Sequence, residues 1–376
     1  MWIEELRVRA FRNLAALNLV PEAATIVLQG ANGQGKTNLL EAVYLCATGR
    51  SFRQATPRAM LMHGADAGLV AAQVAREGVR HQVSVNLGPR QRSIRVDTRA
   101  VRHVAQLLEL VNVVAFFPDD LRIARGSPED RRRFLDRAVA NQDAGFVRAA
   151  LAYDRALRAR NVLLRGQTPP ERALLAAYDA QLIQHAGVLQ AGRLRLLSQL
   201  APAIDVHVHS MLGERLPLEL SLSPGLEAGA APAVPDADNM DAYAGAYADA
   251  LAAALARSYP RDRARGSTSV GPHRADLLCQ LAGRDLRTFA SQGQQRACIL
   301  AFKLAEVTAL AGRLGSPPIL LLDDVSSELD LTRSRSFFAQ AQALECQIWV
   351  STTGAVPLPI AGAAHTLTLC DGAFSP

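Results

Sequence analysis

The sequence predicts an α/β head divided by a helical insertion, and three observations carry that expectation. Near the start, Gly30-Ala31-Asn32-Gly33-Gln34-Gly35-Lys36-Thr37 stands between an apolar strand, Thr25-Ile26-Val27-Leu28, and a helical stretch, Asn38 to Thr48. Near the end, Ile319-Leu320-Leu321-Leu322-Asp323-Asp324 reads as an apolar strand closed by two acids. Between them lies a long segment rich in Ala, Leu, Arg and Gln that reads as helix. A length of 376 residues allows two or three domains and a sizeable core.

The first stretch matches G-x-x-x-x-G-K-[ST] in full and has the strand-to-helix setting that this motif needs. Its glycines let the backbone curl so that N–H groups converge on phosphate oxygens, and the helix start adds partial positive charge. Lys36 reaches the β- and γ-phosphates of ATP, as a binding and a catalytic candidate, and the Thr37 hydroxyl suits Mg²⁺. Gly30, Ala31, Asn32, Gly33, Gln34, Gly35, Lys36, Thr37 and Asn38 are therefore the candidate nucleotide contacts.

Residues 2–9 alternate as a strand, and Leu14 to Leu19 supplies a hairpin partner. Arg12 is a candidate nucleotide contact, weighed against an ordinary surface arginine. The Gly49-Arg50-Ser51-Phe52-Arg53 loop offers two further arginines beside the phosphate site, against a solvated loop. Residues 69–75, 79–87 and 92–97 have period two, with turns at Gly78 and Gly88-Pro89, and predict an antiparallel sheet. Val111 to Phe117 is another apolar strand. Ser127 is a good N-cap, with Pro128 at the first helical position and Asp130 at the third, so one long helix is expected over Ser127 to Arg165. A second follows from Glu171 to about Leu200. Most of the first helix's arginines read as a solvated face. Arg131, Arg132 and Arg133, however, crowd a helix N-terminus that disfavours cations, which points to a phosphate or carboxylate partner. Residues 224–238 read as a loop, and Tyr243 to Ser258 as helix. The expected division is 1–120 for the first part of the head, 121–265 for the helical arm and 266–376 for the rest of the head.

In the second half of the head, Asp323 is the candidate metal carboxylate and Asp324 the one that orients or deprotonates attacking water. Upstream, Ala290-Ser291-Gln292-Gly293-Gln294-Gln295-Arg296 precedes an apolar helix read from Ala297. Its S-x-G-Q core is the signature of ABC ATPases. Ser291, Gly293 and Gln294 at a helix start suit a γ-phosphate arriving from outside. Ser327-Glu328-Leu329-Asp330 stands where that class has its D-loop. Ser351-Thr352-Thr353, after a strand from Gln347 to Val350, stands where many members carry a switch histidine, and a hydroxyl takes its place. No Q-loop glutamine is evident; Pro118-Asp119 or their neighbours occupy that position.

Net charge is +6 with a pI near 9.4, which permits a nucleic-acid or acidic partner without requiring one. Only two lysines occur, Lys36 and Lys303, so nearly all positive charge is arginine. The five cysteines form no C-x-x-C pair and read as reduced core residues of a cytoplasmic protein. No signal-peptide pattern opens the chain, and no apolar run is long enough for a membrane span.

Beside the ABC motifs, three stretches resemble the RecF family, SMC-like ABC ATPases of bacterial DNA recombination. They are Phe11-Arg12-Asn13, the run from Phe117-Pro118-Asp119-Asp120-Leu121 to Arg131-Arg132-Arg133-Phe134-Leu135-Asp136, and Ser269-Val270-Gly271-Pro272-His273-Arg274-Ala275-Asp276-Leu277. The resemblance covers nearly the whole chain. It implies an SMC-like ABC-type P-loop head with a compact α-helical arm, closed by ATP into a homodimer that binds double-stranded DNA. It also implies action at junctions of double- and single-stranded DNA in gaps, slow hydrolysis that releases the DNA, RecO and RecR as partners, and RecA loading as the outcome. Two other readings fit the ABC motifs. An ATPase driving a membrane permease is opposed by the insertion after Phe117 and by Gly271 to Leu277. An ATP-locked scaffold that scarcely hydrolyses is opposed by the two acids Asp323-Asp324.

Overall fold

The computed structural model describes residues 1–53, 55–103, 105–213, 215–234, 239–325, 329–354 and 357–375. The chain forms two compact units. The first comprises Met1–Leu121, Ala203–Leu216 and Ser291–Pro376; the second comprises Arg122–Pro202 and Pro217–Ala290.

Two six-stranded sheets, counted among the described residues, build the first unit. One is antiparallel, in the order Leu14–Leu19, Trp2–Phe11, Gly68–Arg76, Val79–Leu87, Arg92–Val96, Arg99–Ala100. Buried and more open residues alternate along much of Trp2–Phe11 and Val79–Leu87, as their period-two sequences require, while the central strand Gly68–Arg76 buries three residues in a row. The other runs in the order Ala373–Phe374, Ala364–Cys370, Thr25–Gln29, Ile348–Thr352, Ile319–Leu322, Val113–Phe116, and all its pairings but the first are parallel. Its inner strands are apolar throughout because both faces are covered, and Ile319–Leu322 and Val113–Phe116 are buried at every position. The expected strand over 111–117 is thus shorter, at Val113–Phe116. The apolar side of the helix Lys36–Thr48 joins both sheets in one core with Leu6, Val8, Phe11, Ile26, Leu28, Val70 and Trp349.

The second unit holds the helices Pro128–Ala140 and Ala144–Arg165, much of Arg172–Leu212, Met240–Arg265, and a three-stranded sheet, Arg284–Asp285, Asp276–Leu281, Leu218–Ser223. The single helix expected from Ser127 to Arg165 is two. The first carries the capping box at Ser127 and Asp130 that its sequence indicates. It stops at Asn141, and Asp143 starts the next by accepting from the N–H groups of Gly145 (2.7 Å) and Phe146 (3.1 Å). The helix expected to end near Leu200 continues to Leu212, through Pro202, where the division between the units falls. Residues 224–234 carry no helix or strand, while 235–238 lie outside the described residues. The helix read from Tyr243 to Ser258 spans Met240–Arg265.

The boundary expected at 265/266 is displaced, because residues 266–290 belong with the helices. Asp276–Leu281 pairs antiparallel with Leu218–Ser223, and three arginines clamp the preceding turn. Arg131 donates from Nε and Nη2 to the two Asp276 oxygens (2.7 and 2.8 Å), and Arg132 donates to the Ala275 carbonyl (2.7 Å). Arg193 donates to the Pro272 carbonyl (2.8 Å) and is bidentate on Asp136 (2.7 and 2.9 Å). The arginine cluster thus takes a carboxylate, and two of the unusual stretches of sequence prove to be each other's partners. Forked guanidinium–carboxylate pairs with both partners held on rigid elements define geometry as well as energy.

His273 is enclosed in this clamp. Its Nε2 faces the Thr268 carbonyl (3.0 Å), which only accepts, so Nε2 carries the proton and Nδ1 accepts from the Tyr153 hydroxyl (2.8 Å). Burial, with smaller contributions from Arg274 and Arg132, pushes the imidazole down to about 4 from its ordinary 6.5. The unfolded chain therefore binds a proton that the native chain refuses between those values. Stability is full above pH 6.5 and falls as pH drops toward 4. At pH 5 this one group is expected to cost about 2 kcal/mol. His273→Gln should shrink the difference between unfolding at pH 7 and at pH 5 by that amount; an unchanged difference would remove His273 as the cause.

Cys46, Cys298 and Cys346 are buried, Cys279 is half-buried and Cys370 is exposed, so the expectation of core residues fails for Cys370, near the end of a strand. All five are free thiols. No helix among the described residues is long and apolar enough to cross a membrane.

Candidate nucleotide site

The parallel sheet aligns the carboxyl ends of its strands, and the candidate residues gather there. Thr25–Gln29 leads into the phosphate loop, and its neighbour Ile348–Thr352 separates it from Ile319–Leu322, which ends at Asp323. An open cleft of about 260 Å³ is lined by Asn32, Gly33, Gly35, Lys36, Thr37, Asn38, Arg53, Pro118, Asp323, Asp324 and Ser351.

The loop needs its glycines at two points. Gly35 has φ 106°, and a Cβ there would come 2.9 Å from Asn13 Oδ1; one on Gly30 would lie 2.5 Å from the Leu369 carbonyl oxygen. The last strands thus press directly on the loop. Gln34 accepts from the Asp371 N–H, and its carbonyl accepts from Gly372 N–H (3.2 Å). Ala31 adjoins Lys36, whose ammonium donates to the Gly30 (2.6 Å) and Ala31 (2.8 Å) carbonyls. Burial lowers the Lys36 pKa, and the carboxylates of Asp324 and Asp323 oppose that shift.

Thr37 Oγ1 donates to Asp323 Oδ1 at 2.9 Å, and Ser351 Oγ donates to the same oxygen at 2.7 Å. Burial raises the Asp323 pKa, while these two hydroxyls and the Arg53 charge draw it back. The Asp324 N–H donates to Ser351 Oγ (2.9 Å), and Asp324 takes φ 52°, a left-handed conformation that few residues other than glycine adopt. A Thr hydroxyl beside a carboxylate is a hard-oxygen pair that fits Mg²⁺, which takes few protein ligands and completes its shell with water and phosphate. Accordingly, no cluster of three metal-ligating His, Cys, Asp or Glu side chains is needed, and none occurs among the described residues.

Other candidates lie elsewhere. Arg12 is not in the cleft lining; it is bidentate on Glu41 (2.9 and 2.8 Å) and donates to the Ala59 carbonyl (2.7 Å). An isolated arginine gives no sign of such a distant carboxylate. Of the loop arginines, Arg53 lines the cleft and Arg50 does not. Ser291, Gly293 and Gln294 are also absent from the lining. The helix read from Ala297 begins at Gln292, with Ser291 as N-cap. Ser291 Oγ accepts from Gln294 N–H (3.3 Å), and Gln294 Oε1 accepts from Ser291 N–H (2.9 Å). Ser291 is exposed. Asp330 caps the next helix, Leu331–Ala343, while Ser327 and Glu328 of the expected D-loop lie outside the described residues. Asn13 was missed as a site residue. It holds the loop by donating to the Gly33 carbonyl (3.2 Å), and its position in Phe11-Arg12-Asn13 was the available signal.

The model of the RecF/RecN/SMC N terminal domain matches residues 2–363. The DNA replication and repair protein RecF of Anaeromyxobacter sp. (strain Fw109-5) is 41% identical over 353 residues, 94% of this chain and 92% of that protein. The chain belongs to the RecF family. The RecF of Myxococcus xanthus is 37% identical over 364 residues, 97% of this chain and 94% of its own. Among solved structures, the recombination mediator protein RecF-ATPrS of the RecFOR pathway superposes with a TM-score of 0.87 at 27% identity, covering 99% of this chain and 97% of that one. An Smc head bound to the C-winged helix domain of ScpA superposes at 0.54 with 15% identity, which shows a shared head fold. The architecture is therefore the SMC-like ABC ATPase head with an inserted helical arm, in a family of DNA replication and repair proteins.

Proposed function

We propose that this chain is an ATP-driven DNA clamp of recombinational repair. Mg²⁺–ATP binds in the cleft from Gly30 to Asn38, with Thr37 and Asp323 holding the ion. Two copies then close, each nucleotide meeting Ser291, Gly293 and Gln294 of the other. The closed homodimer holds DNA at single-strand gaps and, with RecO and RecR, favours RecA loading in the damage response. Asp324 orients the attacking water, and slow, DNA-stimulated hydrolysis reopens the dimer. Lys36 steadies charge developing on the phosphates.

The observation that carries this reading is the placement of the signature turn. It is capped, exposed at Ser291 and Gln292, and outside the lining of its own cleft, which supports a phosphate brought by another subunit. The membrane-permease alternative draws no support from the arm, whose arginine clamp on Asp276 belongs to the RecF-like stretches.

DNA affinity tests the proposal. It should require ATP and weaken with salt, roughly tenfold for each doubling if about four phosphates are contacted. The measurement is a titration of gapped duplex at several salt concentrations, with and without ATP. Equal affinity without nucleotide would refute gating by ATP.

A further inference from the structure

Glu41 lies on the phosphate-loop helix and is completely buried. A carboxylate shut away from water is costly unless donors surround it, so its partners are informative. Arg12 supplies two N–H groups (2.9 and 2.8 Å), Ser51 Oγ a third donor (2.5 Å), and Arg53 Nη1 a longer contact (3.4 Å). The same Arg53 nitrogen donates to Asn38 Oδ1 at 2.8 Å. Asn38 Nδ2 then donates to Asn13 Oδ1 (2.7 Å), and Asn13 Nδ2 donates to the Gly33 carbonyl (3.2 Å). A continuous polar chain therefore runs from the buried carboxylate through Arg53 to the backbone of the phosphate loop.

The loop carrying Arg53 is pinned on its other side. Phe52 stacks on Phe117 with centroids 3.6 Å apart, and Tyr44 meets both rings edge-on. The Arg53 N–H donates to Ser51 Oγ (3.1 Å). One guanidinium nitrogen is thus tied back toward Glu41 and Asn38, while the side chain lines the cleft. Among the described residues no hydrogen bond engages its Nε or Nη2.

We propose that Glu41 is a positioning residue that, through Arg53, sets a second cation beside Lys36 for the phosphates of the nucleotide. The proposal rests on the cleft binding ATP, as proposed above. An untethered arginine surrenders much rotamer freedom when it grips a ligand; one already held surrenders little, and its fork meets phosphate oxygens in a fixed orientation.

Calorimetric titration of Mg²⁺–ATP into four proteins tests this: wild type, Glu41→Gln, Arg53→Ala and the double variant. Each single substitution should weaken affinity roughly tenfold, the loss of about one charge-assisted hydrogen bond. The double variant should bind no more weakly than Arg53→Ala, whereas a fall in melting temperature from Glu41→Gln should persist in the Arg53→Ala background, because Arg12 loses its carboxylate in each. If Glu41→Gln weakens ATP by the same factor with and without Arg53, or leaves affinity unchanged, the positioning role is overturned. Arg53→Lys gives an independent reading should Glu41→Gln not fold. It keeps the charge and loses the fork, so it should bind as weakly as Arg53→Ala, and wild-type affinity would overturn the proposal. Wild-type protein that binds no ATP would overturn the nucleotide reading itself.

Discussion

ATP affinity is expected to fall at least about a hundredfold when Lys36 is replaced by alanine, since two charged hydrogen bonds to the β- and γ-phosphates disappear together. The fold should survive. Among the described residues the Lys36 ammonium bonds the Gly30 and Ala31 carbonyls, which sit on an open loop and take water in its place. The loop itself is held by other groups: Asn13 on Gly33, Gln34 against the turn at Asp371 and Gly372, and Leu369 over Gly30. Calorimetry should therefore show lost binding beside a nearly unchanged melting temperature. Undiminished affinity would show that the phosphates lie elsewhere.

Ser291→Arg should leave ATP binding intact and abolish ATP-driven dimerisation. Ser291 is exposed at the start of Gln292–Leu314 and contributes nothing to the lining of the subunit's own cleft, so the substitution spares the cis pocket. It places a bulky cation where the partner's nucleotide would arrive, at the positive end of the helix. It also removes the N-cap, at a cost of about 1 kcal/mol, too little to unfold a head of this size. Sedimentation with ATP, read beside ATP affinity, decides the outcome. A variant that loses ATP binding as a monomer would put Ser291 in its own pocket, and one that still dimerises would place the interface elsewhere.

The features legible in the sequence are those whose chemistry is local. Gly30 to Thr37 and Ile319 to Asp324 each carry motif, strand and turn in one stretch, and the parallel sheet brings them together without further information. The period-two strands Gly68–Arg76 and Val79–Leu87 were equally plain. Hidden features depend on partners far along the chain. Arg12 reads as a stray cation until Glu41 is seen to accept it, and Arg131 reads as a conflict with the helix dipole until Asp276 answers it. Residues 266–290 join the arm through pairing with Leu218–Ser223, whose Leu-x-Leu-x-Leu alternation was readable as a strand but does not name its partner some 55 residues on. The break at Asn141 was readable in principle, because Asp143 two residues before Gly145 is a helix-start signal. Asn13 was visible as part of a motif, but its grip on Gly33 depends on how the hairpin folds back.

The strand Thr25–Gln29 has both its neighbours, Ile348–Thr352 and Ala364–Cys370, from the far end of the sequence, and Ile3 N–H finds Gln347 across 344 residues. During synthesis the phosphate loop is therefore made early, but the strand before it has no neighbour until residues 348–352 and 364–370 have left the ribosome. The nascent chain passes most of its synthesis with the sheet unassembled, and such distant pairings are slow to close. Competence to bind nucleotide then waits on strands more than 300 residues downstream of the motif, and a message cut short before residue 348 yields a product with the whole motif and neither sheet neighbour for the strand that leads into it.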